Sequence, residues 1–129
     1  MPHVIIEYSS NVADHHDVNA LVIAIHESAN ATGIGPLAGL RTRATAREHY
    51  RIADGAAENA MVAIIARLGP GREPAEKKAF IEEVLDAAEA HVAAEATPLA
   101  IAWSIEVQEI DAEFRVNRNH VATRMAAED

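Results

Sequence analysis

Pro2 is the residue of this chain whose position alone suggests chemistry, because it directly follows the initiator Met1. Proline is small enough that the initiator methionine is normally removed before it, and removal leaves Pro2 with a free secondary amine. An α-amino group titrates near pH ~7.7–8.0, so roughly a tenth to a sixth of such groups are neutral at pH 7. That range suits general acid–base catalysis. Pro2 is therefore a candidate base once Met1 has gone, although an ordinary start residue would occupy the same position.

Two arginines stand at junctions that a ligand could reach. Arg41 follows the glycine-rich turn Gly33–Gly39, and Arg72 follows the breaker Gly69–Gly71. Arginine binds carboxylates in a bidentate manner, and such charge-assisted pairs are about twice as strong as neutral hydrogen bonds. Taken alone, each arginine is also compatible with a solvated surface residue. The further cations with no better claim are Arg43, Arg47, Arg51 and Arg67.

The chain lacks the motifs for thiol, metal, phosphate-binding and serine-nucleophile chemistry. It has no cysteine, which excludes disulfides, thiol nucleophiles and cysteine metal sites. Of its seven histidines, the adjacent His15 and His16 would diverge on a helix, His26 is too far along the axis from His16, the others are scattered, and no HExxH motif is present, so we expect no metal site. The glycine-rich stretches lack the order of a phosphate-binding loop, and no serine or threonine lies in a nucleophile-elbow context.

Composition narrows the possible partners. The chain of 129 residues is half hydrophobic and has a formal net charge of −9. Nucleic-acid binding needs clustered Lys and Arg, so we expect none. No apolar run reaches the ~18–20 residues of a membrane span, and the first residues lack the features of a secretory signal. These observations and the absence of cysteine favour a cytoplasmic protein. An anionic substrate would need well-placed arginines to overcome the overall negative field.

The elements that must position these residues follow from hydrophobic periodicity. Alternating or continuously apolar runs predict strands, and apolar residues at helical spacing predict helices. The predicted strands are His3–Tyr8, Leu40–Arg47, Ala60–Ala66 and Leu99–Ile110, and the predicted helices run from about Asp14 to Asn30 and from Pro74 to about Glu95.

This order predicts an α+β fold made of two similar β-α-β halves in a single domain, 1–129. The pseudo-repeats cover about 2–56 and 57–112, and a polar tail covers 113–129. We expect one four-stranded sheet with two helices on one face and Ala60–Ala66 as a central strand buried on both faces. Oligomerisation is the simplest cover for the other sheet face. Whether the tail packs on a neighbour or is loose stays open.

Together these motifs resemble a known family. Pro2 leading a strand, the segment ATGIGPLAGLRTR, the turn ADG and LGPGR before a helix are similar to the 5-carboxymethyl-2-hydroxymuconate delta-isomerase family of the tautomerase superfamily. The resemblance extends from Pro2 to about Val121. It implies a homotrimer of β-α-β repeats whose sheets form a barrel-like core.

The resemblance also implies an activity. The N-terminal proline, matched by Pro2, would take a proton from the 2-hydroxyl of a dienol and return one to a carbon further along the conjugated chain, a 1,5-transfer from enol to keto acid. Arg41 and Arg72 match the two arginines that hold substrate carboxylates and stabilise enolate charge. No cofactor is implied. The substrate would be a small di- or tricarboxylate of aromatic-acid degradation, as in homoprotocatechuate breakdown.

Two alternatives remain open on the sequence. One is a tautomerase of another small acid on the same scaffold, such as a smaller 2-hydroxydienoate or phenylpyruvate. The other is a non-catalytic α+β oligomeric binding module, for which removal of Arg41 or Arg72 would leave turnover at background.

Overall fold

A four-stranded mixed sheet forms the centre of the computed structural model, which describes residues 2–128. The strands are β1 (His3–Ser9), β2 (Arg41–Arg47), β3 (Asn59–Leu68) and β4 (Ala100–Glu109), and the helices are α1 (Val18–Ala31), α2 (Pro74–Ala94) and α3 (His120–Ala127). Short 3-10 helices cover Ser10–Asp14, Leu37–Gly39 and Ala112–Phe114. Within the described range, no helix has the length and apolarity to cross a membrane.

The strand order is β2-β1-β3-β4, with β1 parallel to β2, β1 antiparallel to β3, and β3 parallel to β4. Each parallel pair is joined through a helix, so the predicted order of two β-α-β units in one sheet is confirmed. The register places His3 of β1 between Arg41 of β2 and Arg67 of β3. Residues in register point to the same face of a sheet, so these three side chains share one face.

Helices α1 and α2 pack on the other face, as the helical periodicity predicts. Leu21 and Ile25 of α1 and Phe80 and Val84 of α2 are almost fully buried. They belong to the same core as the alternate strand residues Val4, Ile6, Val62 and Ile64. Burying a side chain of this size stabilises the fold by about 1.5–3 kcal/mol, so this layer fixes the sheet on which the candidate residues lie.

The start of α1 corrects the sequence-based boundary. A helix from about Asp14 was expected, but Ser10–Asp14 form a separate 3-10 helix and α1 begins at Val18. The reason is local capping: the Asp17 carboxylate accepts a hydrogen bond from the Ala20 N–H at 3.1 Å. Helix α2 begins at Pro74 as predicted, since proline suits the first helical position.

The helix-free face of the sheet, called here the second face, is only partly covered. Burial alternates along β3, so that Met61, Ala63 and Ile65 of the second face are half-buried. The expectation that this strand is buried on both faces is therefore wrong for the single protomer. Burial alternates along β3 because helices pack on one face of the sheet, and nothing within residues 2–128 packs as a second layer on the other face.

The C-terminal segment, left open by the sequence, is ordered by contacts. Asn119 caps α3 by accepting from the Ala122 N–H at 3.1 Å, and its amide donates to the Ala38 carbonyl at 2.8 Å. Ala38 lies in the turn that leads into β2. The segment before α3 therefore packs on the same protomer, beside the turn that precedes Arg41.

Candidate active site

Pro2 is fixed at one end of the sheet. It directly precedes β1, its side chain is fully buried, and its carbonyl accepts a hydrogen bond from the Arg41 N–H at 3.1 Å. The alternation of β1 places its ring on the face that carries the helices. We call this edge, where β1 and β2 begin and β3 ends, the Pro2 end of the sheet.

Arg72 lies beside Pro2, and Gly35 allows the approach. A Cβ atom built on Gly35 would lie 3.2 Å from Pro2 Cδ and 3.4 Å from Arg72 Nη2. Any larger residue at this position would therefore press on the candidate base and the candidate cation together. The glycine-rich turn before β2 thus brings Pro2 and Arg72, two of the three predicted site residues, to one place.

Backbone carbonyls hold the Arg72 guanidinium. Its Nε and Nη2 donate to the Ile34 carbonyl at 2.9 and 2.6 Å, and its Nη1 donates to the Gly69 carbonyl at 2.9 Å. It forms no ion pair with a carboxylate of residues 2–128. A guanidinium has five N–H donors, so two remain for a ligand in a group whose position is already fixed.

Arg41 has its side chain on the second face of the sheet, away from the Arg72 guanidinium. Its backbone meets Pro2, but its side chain shares the second face with His3, and its Nη2 donates to Asn117 Oδ1 at 3.0 Å. It lines an open cleft of about 410 Å³ with Arg67 and Arg115. Within one protomer, the structure therefore brings Arg72 to Pro2 on one side of the sheet and directs Arg41 to the other side.

The pKa of His3 is affected by burial and by the positive charges at the Pro2 end of the sheet. Burial lowers the pKa of the His3 imidazole below its ordinary value, and the positive charges of Arg43, Arg41 and Arg67 lower this pKa further. Arg43 Nη1 lies 3.1 Å from His3 Nδ1, so the neutral ring accepts the hydrogen bond. A chain of net charge −9 thus has a positive patch at the Pro2 end of its sheet.

Sequence reasoning missed the other residues of the cleft. Arg67 directly follows the strand that was predicted to end at Ala66. If the alternation of side chains had been continued by one residue, it would have assigned Arg67 to the second face of the sheet. Arg115 and Asn117 belong to a polar tail, and only the folded contact between Asn117 and Arg41 reveals their place. In the described part of the chain, no group of three His, Asp or Glu residues is placed to hold a metal ion.

Comparison with known proteins identifies the same family by a sequence model and by a similar relative. The sequence model of the family described as 5-carboxymethyl-2-hydroxymuconate isomerase matches residues 2–125. A relative from Escherichia coli, a 5-carboxymethyl-2-hydroxymuconate Delta-isomerase, is 31% identical over 121 residues, which is 94% of this chain and 96% of the relative.

Solved structures agree with the fold. A crystal structure of a 5-carboxymethyl-2-hydroxymuconate delta-isomerase superposes with a TM-score of 0.88 at 21% identity, covering 97% of this chain and 93% of that one. A 5-carboxymethyl-2-hydroxymuconate isomerase from Deinococcus radiodurans R1 gives a TM-score of 0.84 at 25% identity, covering 96% and 93%. A fused 4-OT described as a symmetric trimer gives 0.58 at 20% identity, covering 83% and 85%.

Proposed function

Because this chain belongs to the 5-carboxymethyl-2-hydroxymuconate isomerase family and is an isomerase of the tautomerase superfamily, we propose that it moves a proton along a conjugated 2-hydroxydienoate of aromatic-acid degradation. The base takes the proton of the 2-hydroxyl, and the same base returns a proton to a carbon at the far end of the dienol. The product is the unsaturated 2-oxo acid, 5-carboxymethyl-2-hydroxymuconate being the substrate that the family description indicates. Nothing is oxidised or reduced, so the reaction requires no cofactor.

The proposed base is the amine of Pro2 after removal of Met1. The proposal is carried by one observation: Pro2 and the Arg72 guanidinium both lie against Gly35, where a built Cβ would be 3.2 Å from Pro2 Cδ and 3.4 Å from Arg72 Nη2. Burial and a neighbouring positive charge both favour the neutral, basic form of an amine. A proline ring also fixes the direction of the nitrogen, because it has no free rotation about the N–Cα bond.

Arg72 is the proposed partner of the reacting end of the substrate. Of its two remaining N–H donors, the one on Nη2 lies at Gly35 near Pro2, where it can bind the carboxylate next to the enol or the oxygen that becomes negatively charged when the proton leaves. The carbonyls of Ile34 and Gly69 fix the guanidinium before substrate arrives, so little reorganisation is needed in the transition state. Arg41, on the second face, is proposed to bind a carboxylate further along the molecule.

We propose a homotrimer as the assembly. The second face of the sheet offers Ile5, Met61, Ala63 and Ile65, which are half-buried in the protomer, and apolar strand residues of this kind favour burial. The fused 4-OT that shares this fold is described as a symmetric trimer. Sedimentation or light scattering of the purified protein should give three times the mass of one chain, and a monomer at working concentration would refute the assembly.

The function is tested at Pro2. Intact mass should first show that Met1 is absent from active protein, and Pro2→Ala should then lower the rate by about 10²- to 10⁴-fold, the usual contribution of a positioned acid–base group. Turnover is followed by the change in ultraviolet absorbance of the dienol. The matched control is Pro98→Ala, an exposed proline before β4, which should leave the rate unchanged. Active protein that retains Met1, or a Pro2→Ala variant with normal turnover, would refute the proposed base.

A further inference from the structure

The cleft beside Arg41 carries more positive charge than one carboxylate requires. Its volume is about 410 Å³, within the range typical of small-molecule sites. Guanidinium groups enter it from β2, β3 and the segment before α3. The polar lining residues are His3, Arg41, Arg67, Asp111, Arg115 and Asn117.

The arginines of the cleft have no ion-pair partner among residues 2–128. Arg41, Arg67 and Arg115 form no ion pair with any carboxylate in the range 2–128, although the chain has an excess of acidic residues. Asp111 also lines the cleft and supplies one negative charge against three arginines; its Oδ1 accepts from the Glu113 N–H at 2.9 Å and caps the 3-10 helix there. Elsewhere the chain does pair its cations, as in the Arg47–Glu7 contact at 2.7 Å.

The Arg41 side chain and the backbones of Arg41 and Arg67 are held in place before any ligand binds. Arg67 and Arg41 stand in register with His3 on three adjacent strands, so their backbones are fixed by the sheet. Asn117 fixes the Arg41 guanidinium at 3.0 Å. The neutral ring of His3 lies between the two strands without adding a further charge. Groups positioned in advance lose little entropy when they bind.

We propose that Arg67 and Arg115 form a carboxylate subsite for the part of the substrate remote from the reacting enol, with Arg67 as the residue that selects multiply charged dienols. This inference rests on the proposed function and adds to it the residues that distinguish multiply charged dienols from monocarboxylates. A dienol with two or three carboxylates gains contacts in the cleft that a monocarboxylate held at Arg72 does not make. The selectivity then resides on the second face of the sheet, while proton transfer takes place at Pro2.

The test compares two substrates in one variant. Arg67→Gln should lower kcat/KM for 5-carboxymethyl-2-hydroxymuconate by about 10- to 100-fold, since a hydrogen bond to a charged group is lost. For the monocarboxylate 2-hydroxypenta-2,4-dienoate, the change should stay within about threefold. Arg47→Gln makes the same charge change on the same face at the far end of β2 and should leave both values unchanged. An equal loss for both substrates, or no loss for either, would overturn the subsite.

A binding measurement separates this subsite from the reaction itself. Calorimetric titration with propane-1,2,3-tricarboxylate, which is not turned over, should give at least tenfold weaker binding to Arg67→Gln and to Arg115→Gln than to the wild type. The Pro2→Ala variant should bind this probe as the wild type does. If no dienol is turned over by the wild-type protein, the proposed function fails. If the probe binds equally to all these proteins, the subsite fails, whatever the turnover shows.

Discussion

The two ends of β1 differ in how their polar groups are satisfied. At the Pro2 end, Arg41, Arg67 and Arg72 have no carboxylate partner in the described chain. At the opposite end, Ser9 is fully buried, and its hydroxyl both donates to Asn11 Oδ1 at 2.7 Å and accepts from the Met61 N–H at 2.9 Å. We call this second group the Ser9 network.

The polar groups at the two ends have different roles. In the Ser9 network, each partner removes the cost of burying the other, so the bonds stabilise the fold. At the Pro2 end, the bonds to Arg72 from within residues 2–128 come from neutral carbonyls, which position the guanidinium without cancelling its charge. Uncancelled charge favours an anionic ligand. Substitutions at the two ends should therefore have opposite signatures, loss of activity at one and loss of stability at the other.

Among the substitutions that compare the polar groups of the two ends, the largest effect is expected for Arg72→Gln. Removing one positioned donor to a developing negative charge costs about 2–4 kcal/mol of transition-state stabilisation, which is about 30- to 1,000-fold in rate. Steady-state turnover of the dienol measures it. Arg118→Gln, an exposed arginine of the C-terminal segment, is the control and should retain full activity. A variant at Arg72 with normal kcat/KM would remove the distinction between the two ends.

Ser9→Ala should have the next largest effect, and it should be on stability. The change leaves the Met61 N–H and the Asn11 side chain without their buried partner, at a cost of about 1–3 kcal/mol. Urea denaturation measures the loss, and kcat/KM below the melting range should not change. Ser10→Ala alters the neighbouring hydroxyl and should stay within about 0.5 kcal/mol. Loss of activity in a folded Ser9→Ala protein would contradict a purely structural role.

The smallest effect is expected at His3 and depends on pH. Its pKa is lowered in the folded protein by burial and by the arginines around it, so the unfolded chain binds the proton more readily. Stability from this site is fully present above the ordinary pKa of about 6.5 and decreases as the pH falls below it. Urea denaturation at pH 5.5 and pH 7.5 should show a smaller difference for His3→Gln than for the wild type. An unchanged or larger difference would show that folding does not lower the pKa of this ring.

The strands were largely predictable because their local patterns agree with their tertiary roles. Arg41 and Arg43 alternate with Thr42 and Ala44, and the structure places the two arginines on the second face, as the alternation requires. The apolar stripes of α1 and α2 likewise face the core. Helix α3 escaped prediction because it is short and buries no residue completely. Its one local signal was Asn119, a residue type that commonly caps helices.

The candidate site was predictable only in part. Pro2 was identified from its position and Arg72 from the glycines before it, but the contact between them depends on Gly35, distant in the chain. Arg67 has the local pattern of a solvated strand end, and only the register with His3 and Arg41 gives it a role. Contacts between distant segments leave no local periodicity, so a single sequence does not reveal them.

The docking of Asn117 and Asn119 against Arg41 and Ala38 brings the last part of the chain to the Pro2 end. Neither terminus is then a neutral place for an affinity tag. An amino-terminal tag would keep the Pro2 nitrogen in an amide bond, without the basicity that the proposed mechanism requires, and a carboxy-terminal tag would extend from the helix next to the turn before Arg41. Recombinant protein for the assays above is best made without an amino-terminal fusion and with any carboxy-terminal tag cleaved.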